Sequence, residues 1–276
     1  MTIMASRCNV NFIVDLALQH QASPAVLNPV KGCDPYGPGC GGCWAKELVG
    51  RFGRYPGLTR KTDAGQLVWT GELAVRPEEM DVVDRWKKPR VVFLNDLGDL
   101  FHSAVPLDSL FQVLRRVAET PAHLYVLPTH RVVEALPRLA RAVGGLRSDH
   151  ALTWPPRNLV ILSSQENGRE ASKKLPAAAA LAKAGWRIGV SYEPALGPGG
   201  VDGWDFAEWV ILGAMQGAGR PMTPEEFGEL ARATRDWCAE RRIPFYLKQA
   251  PSPKHVARVI PLPVLDGAQH RGLWRP

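Results

Sequence analysis

Three of the chain's five cysteines lie close together in the segment "NPVKGCDPYGPGCGGCWAKELVGRFG", residues 28–53. Cys33, Cys40 and Cys43 follow the spacing Cys-x6-Cys-x2-Cys and are surrounded by glycine and proline. Five cysteines in 276 residues do not make a disulfide framework, and clustered thiols of this kind are more often metal ligands or redox groups. The loop offers three ligands, one fewer than a structural zinc site or a fully ligated cubane iron–sulfur cluster takes.

Two kinds of metal site are open to such a loop. One is structural zinc, with His102, Cys8 or Cys238 as the fourth ligand, although Cys238 also fits a buried free thiol on a helix. The other is a 4Fe-4S cluster with one iron left free to bind S-adenosylmethionine (SAM), whose cleavage by one electron yields a 5′-deoxyadenosyl radical that abstracts hydrogen from a substrate. The usual radical SAM spacing is Cys-x3-Cys-x2-Cys with an aromatic residue before the last cysteine. Here the first gap is longer and Trp44 follows the last cysteine; of the two, we favour the cluster.

The elements that must position this loop are visible as continuous apolar runs, which are typical of parallel strands covered on both faces. The runs lie at 90–96, 123–129, 158–164, 187–193, 208–215 and 244–249, and an earlier one at 24–30 precedes the cysteine loop. Helical patterns lie between them at 105–120, 169–185 and 223–242. A further helix-like run begins at Trp44, and Thr223 is the expected N-cap of the last helix.

The alternation of strands and helices predicts an α/β fold. We expect a single domain over 1–276 with a partial or distorted (β/α) barrel, which is of the radical SAM type if the loop holds a cluster. A flat open sheet is the alternative, because periodicity does not separate the two. Residues 54–89 interrupt the alternation and are predicted to form a hairpin or excursion. The segment 250–276 is Pro-rich and basic, and we expect it to wrap the surface.

Polar residues near the strand ends are further site candidates, because (β/α) barrels build their sites at the carboxyl ends of the strands. The candidates for cofactor binding are Trp44, Asn95, Asp96, Asp99, Ser163, Ser164, Glu166 and Gln216. The candidates for catalysis are Glu193, Lys248 and His102. A charge that ends an apolar strand, as Glu193 does, is costly to bury without a function, and Lys248 suits a phosphate or a substrate carboxylate.

Structural roles are the alternatives for several of these candidates. Asp96 and Asp99 also fit turn or helix-capping carboxylates. His102 fits a structural histidine, Lys248 a solvent-facing lysine and Trp44 a core residue.

Charge and hydropathy bound the partners. The formal net charge is +7, and residues 231–276 carry nine Lys or Arg against three Asp or Glu. A basic end of this kind is a footprint for a polyanion such as nucleic acid, with a solvated surface as the alternative. No apolar run is long enough for a membrane span and the N-terminus lacks a signal-peptide pattern, so we expect a cytoplasmic protein with no membrane partner.

Several segments together resemble a phage and bacterial family of radical-SAM-like three-cysteine proteins. The segment that begins at Asn28 has that family's Asn-Pro-Val-x-Gly-Cys and an aromatic residue after the third cysteine. The similar segments are "NPVKGCDPYGPGCGGCWAKEL", "RWKKPRVVFLNDLGDLFHSAVP", "VSYEPALGP", "EWVILGAMQGAGRPM" and "IPFYLKQ". The chain departs from the family at Gly98, where serine is common, and at "LPTHRVVEAL" and "AMQGAGRPM", which puts the family's substrate contacts in doubt.

The resemblance implies a 4Fe-4S cluster held by Cys33, Cys40 and Cys43, SAM, an external electron donor, and a polar group after the second main strand that receives the methionine amino group. Phage proteins of similar appearance include isomerases of thymidine hypermodification, which rearrange an amino acid attached to the thymine methyl carbon of DNA. The implied substrate is then DNA carrying a modified thymine, in the cytoplasm of a phage host. A PLP enzyme and an amino-acid:DNA transferase would act in the same pathway. The alternatives are a radical SAM enzyme acting on a free nucleotide or other small substrate, and a non-catalytic, zinc-stabilised nucleic-acid-binding protein.

Overall fold

A computed structural model describes residues 6–51, 55–146, 152–199, 201–215, 221–251 and 263–276. The α-helices in these ranges are α1 Asn11–Gln19, α2 Trp44–Arg51, α3 Leu107–Glu119, α4 Val132–Leu146, α5 Gly168–Lys183 and α6 Pro224–Arg241. The strands are β1 Ser6–Arg7, β2 Ser23–Leu27, β3 Val30–Lys31, β4 Thr59–Lys61, β5 Leu67–Trp69, β6 Ala74–Val75, β7 Arg90–Leu94, β8 Leu124–Thr129, β9 Leu159–Gln165, β10 Arg187–Ala195, β11 Val210–Ala214, β12 Phe245–Gln249, β13 Val264–Leu265 and β14 Ala268–Gln269.

The main sheet has the strand order β1-β2-β7-β8-β9-β10-β11-β12. Strand β1 is antiparallel to β2, and the other neighbours are parallel. Each apolar run recognised in the sequence is one of these parallel strands. The prediction of an α/β fold with a partial barrel is confirmed: the sheet is a curled half-barrel of seven parallel strands in the described part of the chain.

Helix α1 fills the concave side of this sheet and was not predicted. The Phe12 ring lies 5.7 Å from the ring of Phe93 on β7 and 6.1 Å from that of Tyr246 on β12. Four strands separate β7 from β12 in the sheet order, so one side chain can contact both only because the sheet curls around it. Helix α1 therefore occupies the interior that a closed barrel would fill with strand side chains.

The outer face of the sheet is covered by α3, α4 and α5. Along β9, Leu159 and Ile161 pack with these helices, whereas Val160 and Leu162 pack with α1. Both faces are thus buried, which is why the runs in the sequence are continuous. The N-cap prediction for α6 is confirmed: the Thr223 hydroxyl accepts a hydrogen bond from Glu226 N, and the Glu226 carboxylate accepts one from Thr223 N.

The segment between α2 and β7 is the predicted excursion. Strands β4 and β5 form an antiparallel hairpin, β6 pairs with β3, and a 3-10 helix spans Pro77–Arg85. The structure gives a steric reason for glycine at position 98, because a Cβ there would lie 2.8 Å from Gly32 O and 2.9 Å from Val30 O. The space that a serine would need at this position is occupied by the backbone that leads into the cysteine loop.

Residues 252–262 of the predicted surface tail lie outside the described residues, and the described end, 263–276, runs alongside β12 with Leu265 and Trp274 buried. Leu247 N donates to His270 O, and Gly272 N donates to Phe245 O, so the chain continues alongside β12. Trp274 is completely buried in the same apolar cluster as α1. Hydrophobic burial of this indole overrides the polar character of the segment around it. None of the helices that the structure describes combines the length and hydrophobicity needed to cross a membrane.

Candidate functional site

The cysteine loop lies across the carboxyl ends of the parallel strands. Gly39 N donates a 3.0 Å hydrogen bond to Glu166 Oε1, just after β9. A Cβ on Gly39 would lie 2.4 Å from the same oxygen and 2.8 Å from Cγ of Pro194 on β10. A Cβ on Gly42 would lie 2.9 Å from Cε of Met215, just after β11. A side chain at Gly39 would collide with the buried Glu166 carboxylate and the Pro194 ring, whereas at Gly42 only the flexible end of Met215 would have to move.

The cysteines differ in their surroundings. Cys40 lies in a 3-10 turn, and its Sγ accepts hydrogen bonds from Tyr36 N at 3.4 Å and Gly37 N at 3.3 Å. Backbone N–H groups aimed at sulfur are a feature of thiolates that hold iron–sulfur clusters. Cys33 Sγ donates to Asp34 O at 3.2 Å, and burial raises the pKa of this thiol to about 12. Cys33 and Cys43 both pack against a small apolar cluster beneath the loop.

The loop itself supplies three thiols as donors. Within the described ranges, no three His, Cys, Asp or Glu side chains, these cysteines included, are grouped around one point as ligands of a metal ion. The proposed fourth ligands for zinc have other places: Cys8 and Cys238 are buried in two different apolar clusters, and His102 binds Asp34. What the loop itself offers is three partly exposed thiols, a glycine-rich turn and N–H groups directed at one sulfur.

Asp34 anchors the loop to the neighbouring strand ends. Its Oδ1 accepts a 2.9 Å hydrogen bond from His102 Nε2; His102 Nδ1 accepts from Ala104 N, so the ring proton is on Nε2. Arg131, after β8, forms an ion pair with the same oxygen and lies 4.6 Å above the Tyr36 ring. His102 therefore holds the loop, which agrees with its structural alternative.

Asp99 is a turn carboxylate that joins two loops. Its oxygens accept hydrogen bonds from Phe101 N at 3.0 Å, from the Thr129 hydroxyl at 2.9 Å and from His130 N at 3.0 Å. The side chain is buried, and burial raises its pKa against the opposing effect of these donors. With its oxygens occupied in this way, Asp99 ties the segment after β7 to the end of β8, which is the structural alternative considered for it.

Asn95 and Asp96 follow β7 and have unsatisfied or costly polar groups. Asn95 is fully buried with a left-handed φ of 67°; its Oδ1 accepts from Val30 N, and its Nδ2 has no partner among the described residues. Asp96 Oδ1 accepts a 2.7 Å hydrogen bond from Asn28 Nδ2, and burial raises the pKa of Asp96 to about 6. Both residues retain the capacity to bind a polar ligand.

The end of β9 separates residues that the sequence places together. Ser164 lies on the α1 side of the sheet with Leu162, whereas Ser163 lies on the helix-covered side with Ile161. The two serines therefore do not belong to one site, and Ser163 Oγ has no partner in the described part of the chain. Glu166 is fully buried, and its Oε2 likewise has no partner in the described ranges.

Glu193 and Lys248 form an ion pair between β10 and β12, and each side chain is about one-fifth exposed. The Lys248 ammonium group lies 5.5 Å from the centre of the Phe12 ring. The solvent-facing alternative for Lys248 is therefore wrong. Gln216 lies outside the described residues.

The family model described as "Protein of unknown function (DUF5131)" matches residues 21–270. The chain belongs to the DUF5131 family. No curated protein and no solved structure matches it. The matched range includes the cysteine loop and all the parallel strands from β2 to β12, so the whole candidate site lies inside the DUF5131 region.

Two residues of this DUF5131 protein that the sequence did not single out complete the surroundings of Glu166. His130 Nδ1 lies 3.5 Å from Glu166 Oε1, and burial together with the charges of Lys174 and Arg131 lowers the pKa of His130. Lys174 is 1% exposed, and its ammonium group donates to Ser164 O at 2.7 Å. Helical spacing is the signal that could have found Lys174, because it lies between the buried Ala171 and Ala178.

Trp44, at the start of α2, is 52% exposed. The core-packing alternative for this DUF5131 residue is therefore wrong. At the basic C-terminal end, five of the nine basic side chains pair with carboxylates. The pairs are Arg232 and Arg235 with Asp266, Arg241 with Asp205, Lys248 with Glu193, and Arg271 with Asp15.

Proposed function

We propose that this protein is a radical SAM enzyme in which Cys33, Cys40 and Cys43 hold a 4Fe-4S cluster. The observation that carries the proposal is a three-thiol loop, dependent on its glycines, at the carboxyl rim of a parallel half-barrel. When bound, such a cluster supplies the electron that cleaves SAM to methionine and a 5′-deoxyadenosyl radical, which takes a hydrogen atom from the substrate.

The chain's own residues have two tasks in this proposal. The first is to hold the loop: Glu166 accepts from Gly39 N, and Asp34 is anchored by His102 and Arg131. The second is to bind a polar ligand beside it. The buried Asn95 Nδ2 and Glu166 Oε2 lack partners in the described residues, and leaving such groups unpaired costs about 1–3 kcal/mol each. A ligand acceptor atom would satisfy Asn95 Nδ2, and a ligand donor such as an amino group would satisfy Glu166 Oε2.

We further propose an isomerase that rearranges an amino-acid-modified thymine in DNA. The Glu193–Lys248 ion pair supports this substrate, because an amino-acid adduct carries an ammonium and a carboxylate group. In this proposal Lys248 binds the carboxylate and Glu193 the ammonium group, so the pair opens to receive the substrate. A free nucleotide bearing the same zwitterion is the alternative substrate.

The metal content tests the chemistry. Protein purified without oxygen and reconstituted with iron and sulfide should hold about four irons per chain and absorb broadly near 400 nm. With a chemical reductant it should convert SAM to 5′-deoxyadenosine and methionine. Colourless protein with one zinc per chain would overturn the proposal.

A pair of cysteine variants tests the ligands. Cys40→Ala should lose SAM cleavage while far-UV circular dichroism shows the sheet intact. Cys238→Ala, whose thiol is buried on α6, is the matched control and should keep its iron and its activity. Full SAM cleavage by Cys40→Ala would mean that other residues bind the cluster.

A further inference from the structure

An open groove of about 780 Å³ leads to the cysteine loop. One wall is α2, and the other is the β4–β5 hairpin. The two walls are in close contact at Gly50, where a Cβ would lie 2.3 Å from Leu67 Cδ2. At its end the groove is lined by Cys40 and Gly41. A ligand lying in the groove therefore touches the loop that carries the proposed chemistry.

The groove is positively charged. Its lining includes Lys46, Arg51 and Lys61 against one carboxylate, Glu47, among the described residues. None of the three basic side chains forms an ion pair with a described carboxylate, and the Lys46 ammonium group donates only to Gly41 O. Four arginines of the C-terminal end, by contrast, are paired with carboxylates. An anion is the chemistry that this lining attracts.

An exposed aromatic residue lies at the start of α2, next to the groove in sequence although it is not part of the groove lining. Trp44 begins α2, directly after Cys43, and half of its surface is accessible. Arg51 lies two turns further along the same helix, on the same side. A basic groove with an exposed indole is the combination by which proteins bind single-stranded nucleic acid, because every base can stack on an aromatic ring.

We propose that the groove between α2 and the β4–β5 hairpin binds a single strand of nucleic acid. Phosphates lie against Lys46, Arg51 and Lys61, and a base stacks on Trp44, which gives Trp44 a substrate contact instead of the expected cofactor contact. The inference rests on the proposed function in one respect, since it makes a nucleic-acid strand the substrate of the same site. A base whose methyl carbon is to react must leave the duplex stack, which agrees with single-strand binding.

The test is binding of a fluorescein-labelled single-stranded oligonucleotide to the full chain, followed by fluorescence anisotropy from about 50 to about 300 mM salt. For single strands the slope of log affinity against log salt is about 0.7 per phosphate contact. The triple variant Lys46→Gln, Arg51→Gln, Lys61→Gln should lower this slope by about two and weaken binding at low salt at least roughly tenfold. Trp44→Ala should weaken binding roughly 5- to 150-fold with little change in slope.

The double variant Arg232→Gln, Arg235→Gln is the matched control, because both arginines are already paired with Asp266. It should bind as the parent chain does. Equal affinity and slope for the triple variant would overturn the proposal. So would displacement of the oligonucleotide by polyglutamate at the same charge concentration, or equal affinity for a fully paired duplex.

The outcomes separate this inference from the proposed function. Strand binding in the groove by a protein that never acquires iron would support the groove and reject the radical chemistry. Iron, SAM cleavage and no oligonucleotide binding would support the chemistry and reject the groove.

Discussion

Asp96 is a residue whose burial opposes its charge. Its pKa is about 6 in the folded protein against an ordinary 3.8, so between these two values the folded state holds a proton that the unfolded chain has lost. Stability therefore falls as pH rises through this window, and the full cost is present above pH about 6. This cost therefore persists at neutral pH.

Asp96→Asn should stabilise the protein at pH 7.5. The amide keeps an oxygen acceptor for Asn28 and removes the buried charge. We expect the free energy of unfolding to rise by about 1–2 kcal/mol, less than the full pKa shift because Asp96 is partly exposed. Urea unfolding at several pH values measures it, and the gain should vanish below pH about 4. Exposed Asp63→Asn should change nothing, and a gain that is independent of pH would contradict the explanation.

At the residue scale, the sequence predicts where site residues lie in the fold better than it predicts which residues they bind. The rule that sites lie at strand ends places Asn95, Asp96 and Glu166 at the rim, where the structure has them. It cannot say that His102 binds Asp34, because those residues are distant in sequence and meet only when the loop lies against the segment after β7. Lys174 is hidden for a similar reason: it adjoins the exposed Lys173 and reads as one of two surface lysines.

The position of the cysteine loop depends on two glycines, which have no Cβ. Gly37 and Gly39 both face Glu166, at Cβ distances of 2.6 and 2.4 Å from its carboxylate oxygens. Gly41 lies in the same 3-10 turn as Gly39. A Cβ at Gly41 would have no heavy atom of the described residues within 4 Å. Gly39, which is crowded, and Gly41, which has open space, are therefore a matched pair of substitution sites within one turn.

Gly39→Ala should displace the loop, whereas Gly41→Ala should not. The methyl group of Gly39→Ala collides with Glu166 and Pro194. We therefore expect iron per chain after reconstitution to fall several-fold, and the free energy of unfolding to fall by about 1–3 kcal/mol. Iron and sulfide analysis, with thermal unfolding of the iron-free protein, measures the two effects separately. If both variants behave alike, close packing of the loop on Glu166 is not what holds it.

Whether an element can be predicted from the sequence depends on how clear a residue pattern its burial requires. The parallel strands are found because burial on both faces leaves uninterrupted apolar runs. Helix α4 is missed because Pro137 lies inside it and reads as a break, although Ala135, Leu139 and Ala142 have helical spacing. Helix α1 is missed because it is short and lies in an N-terminal segment with no start signal; no side-chain cap bond is present at Val10.

The whole molecule is a half-barrel completed from inside by α1 and Trp274. Seven apolar strands with intervening helices predict a barrel-like sheet, but the same pattern fits an open sheet or a closed barrel, since periodicity does not report which strands pair at the edges. What decides the curvature is a set of contacts between distant segments. The Tyr246 hydroxyl donates to Asp15, and Arg271 pairs with the same carboxylate, so α1, β12 and the last residues are tied together in the interior.

Phe12→Ala tests whether this interior helix holds the sheet in its curled form. The ring is 2% exposed and contacts Phe93, Trp209 and Tyr246, so its removal leaves a cavity between β7 and β12. We expect the free energy of unfolding to fall by about 3–5 kcal/mol, measured by urea unfolding. Leu18→Ala, on the same helix but 70% exposed, is the matched control and should cost less than about 0.5 kcal/mol. A loss below about 1 kcal/mol for Phe12→Ala would mean that the curl is maintained by the strands alone, and that the position of the rim does not depend on α1.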